Sequence, residues 1–139
     1  MKISTKGTYA LEIIVDLAMH SEPDRLASLK DIAQRRQLSE KYLERIAGML
    51  KKAGLISSTR GAYGGYCLAK EAGDITVLEV LRAVEGNLAP VKCLVYSTDC
   101  GIECEKCPTR GTWGELWERI KSVAESVTVE ELAARAGEK

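Results

Sequence analysis

A mainly helical fold carrying one small β-hairpin is what this sequence predicts, and three observations predict it. Apolar residues recur at helical spacing through several separate stretches. Two of those stretches, the first ending near Arg36 and the second beginning at Ser39, are joined by only a few residues (about 36–38), which is the spacing of a helix-turn-helix. Immediately after them, two short strand-like runs flank the glycine-rich segment Arg60-Gly61-Ala62-Tyr63-Gly64-Gly65, the pattern of a hairpin. A hairpin directly behind a helix-turn-helix sits where a wing belongs, so the expected class is a winged helix-turn-helix followed by a long C-terminal helix.

The first helix is expected from about Ser4 to His20, with Tyr9, Ala10, Ile13, Ile14, Leu17 and Ala18 on its apolar face. Pro23 breaks the chain in the loop at 21–25. The second helix starts near Ser28, where S-L-K-D resembles a capping box with Asp31 in the third place. The third starts at Ser39, a good N-cap, and buries Tyr42, Leu43, Ile46, Met49 and Leu50. Gly54 behind Lys51-Lys52-Ala53 reads as the residue just past a helix end, with the lysines suitably placed against the negative end of the helix. Leu55–Ser58 and Tyr66–Ala69 are the two wing strands. Thr76 with Glu79 opens a fourth helix that ends at Gly86. Thr112 with Glu115 is expected to cap a helix from Trp113 to Ser126, lined on one side by Trp113, Leu116, Trp117, Ile120, Val123 and Ala124. A last helix runs from near Thr128 to Gly137.

The chain has 139 residues, enough for one compact domain. Three regions are expected within it: residues 1–86 as the winged helix-turn-helix, 87–111 as a cysteine-rich loop, and 112–139 as the C-terminal helix and tail. Phe is absent and aromatics make up only 5%, so Leu, Ile, Val and Ala must supply the core. No apolar run approaches the ~20 residues of a membrane helix. Glu12 and Asp16 interrupt the N-terminal apolar stretch and argue against a secretory signal or transit peptide, which points to the cytoplasm. For an enzyme there is no nucleophile–base pair and no phosphate loop after a strand, and His20 is the only histidine, placed where a structural role suits it better than ligation.

The net charge of zero conceals an asymmetry. Residues 1–70 hold 12 Lys+Arg against 7 Asp+Glu, a net of +5, while residues 71–139 hold 8 against 13, a net of −5. A basic first half points to a polyanionic partner. Recognition helices present their N-terminal residues to base edges in the major groove. In the third helix those residues include Ser39, Lys41, Tyr42, Glu44 and Arg45. Ser39, Lys41 and Tyr42 can reach phosphates, Arg45 can pair with guanine, and Glu44 can accept from cytosine N4. Arg60 at the wing tip suits a narrow minor groove, and glycines such as Gly61 let the hairpin backbone come close to DNA.

Of the five cysteines, Cys93, Cys100, Cys104 and Cys107 lie within fifteen residues. Clustered thiols in a cytosolic chain are more often metal ligands or redox groups than disulfides. Cys104 and Cys107 make one C-x2-C unit, but no second unit completes a structural zinc pattern. The acidic surroundings, Asp99, Glu103 and Glu105, suit an exposed, releasable site. The spacing alone leaves an iron–sulfur cluster, zinc and redox thiols open. Cys67 stands apart on a wing strand and reads as a small buried apolar residue.

The quoted stretches also resemble a known family. M-K-I-S-T-K-G-x-Y-A at the start, S-x-K-Y-L-E-R from Ser39, L-x-K-A-G-L-I-S-S-T-R-G-x-x-G-G-Y through the wing and C-P-T-R-x-x-W from Cys107 are similar to the Rrf2 family of bacterial regulators, over nearly the whole chain. The likeness is strongest to its iron–sulfur assembly branch. The resemblance implies a homodimer joined through Trp113–Ser126, binding a palindromic double-stranded operator with half-sites ~34–36 Å apart. It places Glu44 among the residues that discriminate DNA sites. It also implies a [2Fe–2S] cluster on Cys93, Cys100 and Cys107, loaded by the iron–sulfur assembly machinery, in a repressor of iron–sulfur biogenesis genes. Where that branch has a histidine as fourth ligand this chain has Arg110, which cannot serve. The fourth position therefore stays open between Cys104, a carboxylate such as Glu103 or Glu105, and a residue of the partner subunit. The spacing between cysteines is also one residue longer on each side than in that branch. The family further includes regulators that sense nitric oxide and regulators of cysteine metabolism; the cysteine triplet argues against the latter. An iron–sulfur carrier would leave the basic helix and wing without a purpose.

Overall fold

The computed structural model describes residues 3–95 and 101–137. Cys100, one of the expected ligands, lies outside them. The described residues form six α-helices and one two-stranded antiparallel sheet: α1 (Thr5–His20), α2 (Leu29–Arg36), α3 (Glu40–Lys52), β1 (Ile56–Thr59), β2 (Gly65–Leu68), α4 (Val77–Glu85), α5 (Arg110–Ser126) and α6 (Val129–Gly137). The expected mainly helical class with a small wing is what the chain adopts.

Local chemistry sets most of the ends. Ser28 Oγ accepts from Asp31 N at 3.1 Å, Thr76 Oγ1 from Glu79 N at 3.2 Å, and Thr128 Oγ1 from Glu131 N at 3.2 Å, satisfying amide groups that no helical carbonyl reaches. The end of α3 is closed by a Schellman pair, Leu55 N to Leu50 O at 3.1 Å and Gly54 N to Lys51 O at 3.0 Å. This turn needs Gly54 at φ +79°, a conformation that a side chain would strain.

Three expectations shift. Ser39 stands at the N-cap of α3, but its side chain makes no capping hydrogen bond. The helix α5 begins at Arg110 rather than Trp113, with Thr109 before it, so Thr112 lies inside the helix instead of capping it. The Trp113 amide already bonds the Thr109 carbonyl at 3.1 Å, and the helix therefore starts a turn early. The strands are displaced by one residue from their expected positions, pairing Ile56 with Leu68 and Thr59 with Gly65. Three short 3-10 turns also form: Lys92–Leu94 and Cys104–Lys106 within the expected cysteine-rich loop, and Ala72–Asp74 ahead of α4.

The core is built on α1, which packs against α2, α3, α4, α6 and β2. Ala10, Ile13, Ile14 and Leu17 are fully buried, together with Ile32 of α2, Leu43, Ile46 and Leu50 of α3, and Val80 of α4. At ~25 cal/mol per Å² of buried apolar surface, this aliphatic layer is the main stabilising term. The wing is fastened to it by a reciprocal backbone pair, Ala27 N to Tyr66 O at 3.0 Å and Tyr66 N to Ala27 O at 2.7 Å. A second pair of backbone bonds, Val77 N to Val127 O at 3.0 Å and Val129 N to Ile75 O at 2.9 Å, ties the approach to α6 onto the approach to α4.

Two polar contacts stand out within this apolar frame. Asp16, with 0% exposure, accepts from Arg35 Nε at 3.0 Å, Arg35 Nη2 at 2.7 Å and Arg36 Nε at 3.2 Å, so the end of α2 is locked to α1. Glu85, at the end of α4, accepts from Ser4 N, Ser4 Oγ and Gly7 N, which places a carboxylate on the positive end of α1. Burial works against the Glu85 charge, but the bonds from Ser4 and Gly7 and the nearby Lys6 outweigh it and hold the carboxyl below its ordinary value.

Replacing Asp16 with Asn should cost about 2 kcal/mol, because charge-assisted hydrogen bonds are lost from a buried site; urea unfolding of the two proteins measures it. Because the folded-state pKa of Glu85 is depressed, its contribution is present above the ordinary carboxylate pKa and is lost as pH falls through the folded value. Glu85→Gln should therefore flatten the acid limb of a melting-temperature profile while lowering stability at neutral pH.

Candidate nucleic-acid interface and cysteine loop

The N-terminal half of α3 leaves the core pointing outward. Leu43, Ile46 and Ala47 are buried, while Ser39, Lys41, Glu44 and Arg45 on the opposite side are exposed. Tyr42 falls between the two groups. Its ring packs edge-on to Tyr9 with centroids 5.0 Å apart and planes at 78°, so half of the side chain belongs to the core. Ser39, Lys41, Tyr42, Glu44 and Arg45 together line a hollow of about 580 Å³. A second hollow of about 490 Å³ lies between α3 and the wing and is lined by Glu44, Lys51, Ser58, Thr59, Arg60 and Gly61, among others. Glu44 borders both, so helix and wing form one continuous surface. All seven residues expected at a DNA interface lie on it.

Lys51, Ser58 and Thr59 also face this surface, although the sequence reading placed Lys51 only at a helix end. The missing information was tertiary: which side of the last turn of α3 faces the wing depends on how the hairpin folds back. That fold-back is tight. A Cβ on Gly64 would collide with the Thr59 carbonyl, so the tip closes only with glycine there.

The charges are distributed to suit a polyanion. Arg35 and Arg36 are neutralised internally by Asp16 and Glu12. Among the described residues, Lys41, Arg45, Lys51 and Arg60 take part in no ion pair. Four exposed cations without an internal partner line one face.

The cysteine loop runs from the end of α4 to the start of α5. Cys93 lies half-buried in the turn Lys92–Leu94, Cys104 is exposed at the turn Cys104–Lys106, and Cys107 is half-buried just ahead of α5. Arg110 Nη2 donates to the Cys93 carbonyl at 3.4 Å, joining the two ends of the loop, and Arg110 Nε is buried without a partner among the described residues. Among the described residues no three His, Cys, Asp or Glu side chains converge as a metal-binding group, and His20 is exposed at the end of α1. Cys67 is buried as expected, with its Sγ 3.3 Å from Ser57 Oγ.

The Cys107 thiol is held below the ordinary thiol range, first by the Thr109 hydroxyl 3.5 Å away, then by the Thr109 backbone N–H, with the Arg110 N–H and charge adding to it. A lowered pKa raises the thiolate fraction at neutral pH. In metal-free protein, Thr109→Ala should therefore slow the modification of Cys107 by iodoacetamide several-fold at neutral pH; peptide mass mapping over time reads the rate.

Beyond the loop, α5 buries none of its residues. Trp113 and Leu116 are partly exposed and Val123 is 65% exposed, beside an apolar hollow of about 650 Å³ lined by Ile3, Leu11, Leu81, Leu88, Ile120 and Leu132, among others. No helix among the described residues is long and apolar enough to cross a membrane.

A helix-turn-helix with a pinned wing, and unpaired cations along both, defines a winged-helix DNA-binding protein. Residues 3–135 match the family profile described as Rrf2, iron-dependent transcriptional regulator, and the chain belongs to that family. Its members are transcriptional regulators and not enzymes. The chain is 44% identical over 135 residues to the HTH-type transcriptional regulator CymR of Bacillus subtilis, covering 96% of this chain and 91% of that one. It is 39% identical over 132 residues to the HTH-type transcriptional regulator IscR of Xenorhabdus nematophila, covering 95% and 79%. The solved structure of CymR, the global cysteine regulator of B. subtilis, superposes with a TM-score of 0.80 at 41% identity, covering 97% of this chain and 98% of the other.

Proposed function

We propose that this regulator binds a palindromic operator as a homodimer and reports the state of a [2Fe–2S] cluster held in its cysteine loop, acting as a repressor of iron–sulfur biogenesis genes. The DNA half of the reading rests on the unpaired cations Lys41, Arg45, Lys51 and Arg60 across α3 and the wing. Ser39, Lys41 and Tyr42 position the helix on phosphates, Arg45 and Glu44 read base edges, and Arg60 with Gly61 engages the minor groove. The dimer half rests on α5, whose apolar face and adjoining hollow are left open by the described residues and suit a second copy as cover.

The sensor half is carried by one observation: four thiols within fifteen residues, in a loop that runs directly into α5. The donor chemistry fits an iron–sulfur cluster, which takes thiolate ligands. Cys93, Cys100 and Cys107 would hold it, with Cys104 as the fourth ligand in place of the histidine that Arg110 displaces. Such a group, when bound, supplies a redox- and iron-sensitive anchor. The chain's own part is to tether that anchor to the first turn of α5 through Cys107, Thr109 and Arg110. Ordering of the loop would then bear on the dimer helix and on the separation of the two recognition helices.

A second reading is favoured by the 44% identity to CymR: the same DNA-binding frame responding to cysteine metabolism rather than to a cluster. Anaerobic purification separates the two. The cluster reading expects coloured protein with iron and acid-labile sulfide, both lost in Cys93→Ala and Cys107→Ala and reduced in Cys104→Ala. Colourless protein that still retards operator DNA would reject the cluster and favour the second reading.

A further inference from the structure

The wing tip carries a side chain that neither the fold nor the assigned DNA contacts account for. Tyr63 is 97% exposed, whereas the rings of Tyr9, Tyr42 and Tyr66 are all half-buried. Turn geometry does not ask for an aromatic residue; glycine, asparagine, aspartate or serine would serve a tip better. A ring left in water gains nothing from burial among the described residues and is free to meet a partner outside the chain.

The tip that presents it is not free to swing. Gly64 N bonds the Gly61 carbonyl at 3.0 Å across the turn, Thr59 pairs with Gly65, and the Ala27–Tyr66 bonds pin the base of the hairpin to the body. Tyr63 is therefore presented at a defined place, in the turn between Gly61 and Gly64, both of which line the hollow shared by Glu44, Lys51 and Arg60. The neighbouring cations select an anionic partner, and the ring selects one with apolar surface as well. The minor groove of a duplex offers both. Its floor carries hydrogen-bond acceptors at every base pair, its walls are deoxyribose, and it is about 6 Å wide, enough for a ring entering edge-on.

We propose that Tyr63 is a DNA-contacting residue, entering the minor groove flanking the segment read by α3. There its hydroxyl donates to a base acceptor and its ring lies against sugar. Runs of A·T pairs narrow the groove and present no amino group on its floor, so Tyr63 favours A·T-rich flanks over G·C-rich ones. This inference rests on the DNA-interface reading above and adds a specificity-determining residue to it.

The test uses full-length dimer and a duplex that wild-type protein selects from a random-sequence library, prepared with A·T-rich and with G·C-rich flanks. Tyr63→Ala should weaken binding to the A·T-flanked duplex ~10-fold, the factor expected when one well-placed aromatic contact is removed. It should also erase the preference between flanks and remove hydroxyl-radical protection in the flanking minor groove, with no change in melting temperature. Tyr63→Phe should keep the protection and lose only part of the affinity. If Tyr63→Ala binds both duplexes as wild type does, while Arg45→Ala binds neither well, the inference is overturned, and the ring serves another partner. If wild-type protein selects no sequence and Arg45→Ala changes nothing, the DNA-interface reading falls and this inference with it.

Discussion

Burial of the apolar side of α1 is the constraint on which the other elements depend. Ala10, Ile13, Ile14 and Leu17 lie wholly inside, and α2, α3, α4, α6 and the wing strand β2 all lean on that helix. A core of aliphatic side chains has no directional preference of its own, so something else must set the rotation of each helix about it. Polar contacts at the rim do this. Asp16 grips both arginines at the end of α2, and Glu85 receives the first turn of α1. Because α2 ends directly before the turn into α3, the Asp16 contact also sets how α3 leaves the body. The amphipathic pattern of α3 then follows: Leu43, Ile46, Ala47 and Leu50 face inward, and its charged N-terminal residues face out.

The same arrangement sorts the basic residues into two kinds. Arg35 and Arg36 on α2 are paired internally with Asp16 and Glu12, and their charge adds little to the outer field. Those on α3 and the wing have no internal partner and so remain available to phosphates, where counterion release gives affinity without sequence preference. In the proposed reading, sequence preference comes from the few groups that reach base edges, and the candidates for these lie along a surface made continuous by Glu44. The wing contributes to that surface only because its base is bonded to Ala27 in the loop ahead of α2.

The C-terminal half has a different character. Residues 71–139 are net acidic, and α5 has an apolar face on which none of its residues is fully buried. The cysteine loop ends at the first turn of α5, and Arg110 links that turn back to Cys93. In the proposed reading, a group bound by the thiols therefore acts on the dimer helix over one turn of chain, with no long path between them. The displacement of the helix start to Arg110 is part of this, since it brings Thr109 and the helix amides beside the Cys107 thiol.

Much of this was legible in the order of residues, because the signals are local. Capping by Ser28, Thr76 and Thr128, the left-handed turn at Gly54 and the apolar periodicity of α1 and α3 depend on residues a few positions apart, and these elements form where they were read. That Ser39, Lys41, Tyr42, Glu44 and Arg45 share the outer side of α3, and Arg60 and Gly61 the hairpin tip, was legible for the same reason, since residues on one side of a short helix and at one hairpin tip are set by period alone. Tertiary packing decided what depends on residues distant in the chain. Asp16 looks like an interruption of an apolar face until α2 supplies its arginines nineteen and twenty residues later. Lys51 joins the wing surface, and Tyr42 divides between Tyr9 and the outer face, only once the helices cross. The start of α5 was misread because Thr112 and Glu115 have the spacing of a cap, yet Thr109 already offers its carbonyl to the Trp113 amide. Sequence determined which segments fold and which faces they present; the packing of those faces onto α1 decided which charges are spent and which remain free.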